Sequence, residues 1–171
     1  MREFFDASWA PHAETGDVIE PGHLCEWVWL LSEYERLTGE PAGPASAALY
    51  ERAMEWGVNA RSGLLFASMS PDGSVIDARS RSWMQTEWIR AAAVETRRGR
   101  PGALQTLEAA CAATFRHHLD PAPAGAWIDA NGEDGEGLSH GMPSSTLYHM
   151  LGSVIEARAV VAMDTDLLVS G

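Results

Sequence analysis

The chain has 171 residues, enough to bury a sizeable core. Its formal net charge of -12 leaves no basic stripe to neutralise phosphates, which excludes a nucleic-acid partner. All 12 basic residues are Arg, which excludes Schiff-base chemistry and a lysine-held pyridoxal cofactor.

Residues 1–21 read as irregular, with a short strand at 3–5 and no apolar segment of the kind a secretory leader needs. Pro21-Gly22 then opens an apolar run, His23-Leu24-Cys25-Glu26-Trp27-Val28-Trp29, that predicts a helix over 23–37, stopped by Thr38-Gly39-Glu40-Pro41. His23 falls in its first turn, with Glu26 and Trp27 three and four positions on, on the same surface. A helix N-terminus favours the neutral imidazole that a general base needs, while a nearby Glu pushes the other way and orients the ring. The structural alternative is a buried, capped His with Trp27 and Trp29 as core. Cys25 and Cys111 stand far apart in apolar contexts and read as reduced core residues, which suits a cytoplasmic protein.

A second helix is expected over 44–59, with Leu49, Ala53 and Trp56 on one face. Residues 64–77, turning at Asp72-Gly73, predict a β-hairpin. A third helix over 82–97 places Trp83, Glu87 and Arg90 on one face and ends in Arg97, Arg98 and Arg100, read as a solvated basic end. A fourth runs over 101–118, with His117 and His118 as end-of-helix polar residues. Residues 127–129 read as a strand running into an acidic turn at 131–135. Its glycine is misplaced for a calcium loop, so no metal is assigned there. A fifth helix begins near Pro143-Ser144-Ser145, with either serine as cap, and runs to 162, leaving 164–171 as a loose end. No run reaches the roughly 20 apolar residues of a membrane span.

Three motifs occur in order: Glu20-Pro21-Gly22-His23-Leu24-Cys25-Glu26-Trp27, Trp83-Met84-Gln85-Thr86-Glu87 and Pro143-Ser144-Ser145-Thr146-Leu147-Tyr148-His149. Together they resemble the N-acylglucosamine 2-epimerase superfamily, and the third is most similar to its mannose-6-phosphate isomerase-like branch. The resemblance covers residues 2–161. It implies an all-α fold of the (α/α)6 toroid type, with 1–171 forming a single domain that resembles the C-terminal half of the barrel. Short β-hairpins would line one mouth.

The resemblance implies that His23 and His149 are an acid/base pair, moving a proton beside a sugar carbonyl through an enediolate. Glu26 and Glu87 match carboxylates that bind hydroxyls or orient His, and Trp83 matches an indole that packs on the sugar. The expected substrate is an aldose of the mannose or mannose 6-phosphate type, converted to its ketose or 2-epimer, with no cofactor and no metal. Ser144 stands where disaccharide epimerases carry a Trp, which favours the isomerase-like branch. Arg79 and Arg81 read either as surface residues of a hairpin or as partners of a sugar phosphate. The expected partners are a small sugar and either a second copy or a complementing N-terminal half, because an Arg and a His used by the family have no counterpart here. The alternatives are an N-acylglucosamine 2-epimerase, a non-catalytic carbohydrate-binding remnant, and a glycoside hydrolase using Glu26 and Glu87.

Overall fold

The computed structural model describes residues 1–138 and 141–169, with side chains described as far as residue 163. Five α-helices dominate the described residues: α1 (Pro21–Thr38), α2 (Gly43–Trp56), α3 (Ser82–Arg97), α4 (Ala103–Thr114) and α5 (Thr146–Val169). The strands are short: β1 (Ser68–Met69), β2 (Val75–Asp77), β3 (Ser80–Arg81) and β4 (Ala130–Asn131). Helices α1, α3 and α5 lie side by side, with α3 in the middle; α2 packs on α1 and α4 on α3.

The reason for α3's central place is in its sequence. Its 16 residues are buried almost throughout, and the run Ala91-Ala92-Ala93 is fully inaccessible, so small side chains let neighbouring helices approach from several sides. Leu24, Cys25 and Val28 of α1, Tyr50 and Ala53 of α2, and Leu107 and Ala110 of α4 complete the core around it. Each fully buried Leu or Val of this set is worth about 1.5–3 kcal/mol of transfer free energy. Gly22 marks a close approach of α1 to α3: a Cβ there would meet the Met84 side chain at 2.7 Å.

The expected hairpin forms between β1 and β2, antiparallel, with Ser68 opposite Asp77 and Gly73 at φ 88° in its turn. The strand predicted at 127–129 is displaced. Pairing falls on Ala130–Asn131 instead of 127–129, and its partner is β3, with Ser80 opposite Asn131. Asp129 is consumed at this junction: its carbonyl accepts from the Ser82 amide at 2.8 Å, and its carboxylate accepts from Ser82 Oγ and Arg81.

Three further expectations are corrected. The fourth helix starts at Ala103 and passes into one π-turn (Phe115–Leu119), where the Asp120 amide reaches Phe115 O at 2.8 Å. That extra residue per turn rotates His118 inward. It is fully buried, donates from Nδ1 to Ile128 O at 2.7 Å, and burial lowers its pKa to about 4, so it is not an end-of-helix polar group. The arginines after α3 are not a solvated end: Arg97 pairs with Glu156, Arg98 with Glu35 and Glu95, and Arg100 with Glu95 and Glu51. Finally, α5 continues to Val169, beyond the predicted end, while Ser170 and Gly171 lie outside the described residues. Its first amides are taken by backbone carbonyls: Thr146 N donates to Pro143 O and Leu147 N to Ser144 O, in place of a serine side-chain cap.

Candidate active site

The first turns of α1, α3 and α5 meet at one end of the helical layer. They bring His23 from α1, Trp83 from α3, and Tyr148 and His149 from α5. The Trp83 indole lies between the two imidazoles, 5.0 Å from His23 and 5.6 Å from His149 between ring centroids. Tyr148 stacks on His149 at 3.8 Å. These rings, with Glu26, Arg81 and Thr146, line an open cavity of about 290 Å³, the size of a monosaccharide-scale pocket. The three sequence motifs therefore converge, although α2, the hairpins and α4 separate them along the chain.

Each imidazole is held through Nδ1 by a carboxylate, which leaves Nε2 for chemistry. His149 Nδ1 lies 2.7 Å from Glu87 Oε1. Glu87 is fully buried, and the same oxygen accepts from Arg90 Nη1 at 2.7 Å. Arg90 in turn lies over the Trp29 ring at 3.5 Å, and Trp29 Nε1 donates to Glu156 at 2.8 Å. A continuous chain of contacts, Trp29–Arg90–Glu87–His149, buried at Arg90 and Glu87, thus fixes one histidine. Gly152 of α5 lies beside the Arg90 guanidinium, where an added Cβ would be in van der Waals contact at 3.4 Å. Of the two roles considered for Glu87, the geometry fits orientation of His149, because the carboxylate sits behind that ring and is fully enclosed.

His23 departs from expectation. Its Nδ1 is held by Glu3, at 3.1 Å from Oε2, not by Glu26. The hydrogen bond to Glu3 raises the His23 pKa above its ordinary value despite burial, with Glu20 and Glu26 adding to the rise. The carboxylate thus acts in the direction opposite to the helix N-terminus, which favours the neutral ring. Glu20 is itself pushed up by burial, and Tyr148 likewise. Glu3 gave no signal in the sequence because it lies 20 positions before His23 in a segment without periodicity.

Arg81 lines the cavity and is tied to Asp129 at 2.9 Å, whereas Arg79 pairs with Asp77 on the surface. Cys25 is fully buried, and burial raises its pKa strongly, so a nucleophilic thiol has no place here. Glu26, Glu87 and His149 bring three ligand-type atoms within 4.8 Å of one another. Within this set, Glu87 Oε1 already serves both Arg90 and His149.

The profile of the N-acylglucosamine 2-epimerase (GlcNAc 2-epimerase) family matches residues 1–153. The chain belongs to this family. It is 34% identical over 161 residues to a mannose-6-phosphate isomerase of Rhizobium meliloti (strain 1021), covering 91% of this chain and 42% of that protein. Its fold matches a D-mannose isomerase crystal structure with a TM-score of 0.80 at 22% identity, over 91% of this chain and 43% of the other. It matches the cellobiose 2-epimerase of Spirochaeta thermophila DSM 6192 with a TM-score of 0.72 at 17% identity, over 84% and 39%. This family member thus spans about two-fifths of the length of the relatives it matches. Among the described residues, no helix is long and apolar enough to cross a membrane.

Proposed function

We propose that this chain supplies the His pair of a sugar isomerase or epimerase that converts an aldose of the mannose or mannose 6-phosphate type into its ketose or 2-epimer. The observation that carries the reading is the pair of imidazoles, His23 and His149, set on either side of Trp83 in one cavity. An open-chain aldose held against the indole places its C1–C2 region between two groups able to move protons near neutral pH. One imidazole removes the C2 proton; the C2–H electron pair forms the enediolate as the carbonyl oxygen gains negative charge or a proton. Return of a proton to C1, with loss of the O2 proton, gives the ketose. Return to the opposite face of C2 gives the epimer.

The carboxylate behind each ring keeps Nδ1 occupied and Nε2 available, the arrangement that a proton carrier requires. Arg81 supplies a cation at the cavity wall for the enediolate or a substrate phosphate. The reading assigns no metal and no redox cofactor. Because the relatives are more than twice as long, it places the reaction in a ring completed by further helices, from a second copy or from a complementing half. The test is turnover of mannose, mannose 6-phosphate and N-acetylglucosamine by the chain alone and by a ring-completed assembly. Conversion of none of the three by the completed assembly would overturn the reading and leave a carbohydrate-binding role.

A further inference from the structure

We propose that Glu3 is the positioning residue of His23: reaching back from the N-terminal segment, its carboxylate holds Nδ1 of the imidazole and so turns Nε2 toward the cavity. The inference rests on the proposed proton transfer only for its catalytic consequence; the contact itself is a property of the folded chain.

Glu3 makes two contacts on the start of α1. Oε1 accepts from the Glu20 amide at 3.3 Å, and Oε2 lies 3.1 Å from His23 Nδ1. One carboxylate therefore does the work of a helix cap and of a ring anchor, although it lies outside the helix. The Glu3 side chain is nearly buried, with 11% of its surface exposed, so its charge is poorly screened where it meets the ring. Glu20 is a weaker neighbour, 3.5 Å from the same nitrogen. The other groups that face or approach His23 are Glu26 on its own helix, Arg81 before α3, and His149 beyond Trp83. Among the carboxylates near His23, Glu3 is the one that combines direct contact with burial.

The arrangement pairs with the one on the other side of Trp83. Glu87 does for His149 what Glu3 does for His23, with one difference. Glu87 is also bound by Arg90 at 2.7 Å, whereas Glu3 holds His23 with its second oxygen on a backbone amide. The two histidines are thus oriented alike, by carboxylates in different surroundings.

The test reads the imidazoles directly by NMR on the chain as it exists, with no need for turnover. In the wild type at high pH, the neutral His23 ring is expected as the Nδ1–H tautomer, against the Nε2–H form that free histidine favours. Glu3→Gln keeps the shape and an acceptor oxygen but removes the charge. It is expected to lower the His23 titration midpoint by about one unit, the lower end of the effect of a nearby opposite charge, and to leave His149 unmoved. Glu3→Asp is expected to fall between the two. An Nε2–H tautomer at His23 in the wild type, which is read even if a variant fails to fold, would overturn the proposal. So would a His23 midpoint in folded Glu3→Gln within about 0.2 units of the wild type, far short of that effect, since a merely structural tether leaves it unmoved. A positive NMR result with no turnover on any sugar would sink the proposed reaction and leave the anchoring intact.

Discussion

Glu87 and His149, 62 positions apart, share a 2.7 Å hydrogen bond whose acceptor oxygen also receives the Arg90 guanidinium. This single carboxylate ties α3 to α5 and decides which nitrogen of His149 faces the cavity. It also compensates a guanidinium that is only 6% exposed. Removing it leaves Arg90 buried without its charge partner. Glu87→Ala is therefore expected to destabilise the chain by about 3–5 kcal/mol, the usual result of breaking a buried ion pair from one side. Chemical denaturation checks this; a change below about 1 kcal/mol would show that Arg90 finds another partner.

The buried His118 makes stability depend on pH in a defined window. Its folded pKa lies near 4, below the ordinary value of 6.5, because burial penalises the charged ring. The unfolded chain therefore takes up a proton that the folded chain refuses. Its contribution is fully present above about pH 6.5 and declines as pH falls toward 4. His118→Asn keeps an N–H for the Ile128 carbonyl but cannot titrate. Its stability curve between these pH values is expected to be flatter than that of the wild type. Parallel curves would assign the acid sensitivity to other groups.

His23 contributes with the opposite sign. Its folded pKa is raised, chiefly by Glu3, so the interaction stabilises the fold most at pH values below the unfolded pKa of about 6.5 and is lost as pH rises through the raised folded value. The stability difference between wild type and Glu3→Gln should therefore shrink as pH rises above that point. A difference independent of pH would show that Glu3 acts only as a cap for the start of α1.

Trp83 offers an apolar face and carries no transferable proton. In the proposed reaction, Trp83→Ala is expected to raise KM for the sugar with a smaller effect on kcat, the pattern of lost ground-state contact. Substrate-dependent kinetics of the ring-completed assembly separate the two parameters. A fall in kcat with KM unchanged would give the indole a different role.

The fold was largely legible because its helices carry strong boundary signals. Pro21-Gly22 before an apolar run and Gly39 after it, at φ 75°, bound α1. The range predicted for α3 agrees with Ser82–Arg97. What stayed hidden is tertiary. The inward turn of His118 depends on one π-turn, which no propensity announces. The pairing of β3 with β4 joins two dipeptides 50 positions apart. In the site, the motifs led to His23, Glu26, Trp83, Glu87 and His149, and their side chains meet. Glu3 did not emerge, because it lies in an irregular segment, and Tyr148 stood inside the third motif without an assigned role. Arg90 was placed on the face of Glu87 and Trp83, but its burial, and hence its need for Glu87, shows only in three dimensions.

The central claim is that His23 and His149 move the proton at C2. The most direct measurement is deuterium incorporation at C2 of mannose in deuterated water by a ring-completed assembly, with and without a chelator, for wild type, His23→Asn and His149→Asn. Each substitution is expected to lower turnover by at least about 10²-fold, the lower range for a general acid or base, with the fold retained. The chelator is expected to change nothing. Undiminished exchange in either variant, or exchange abolished by the chelator, would contradict the account.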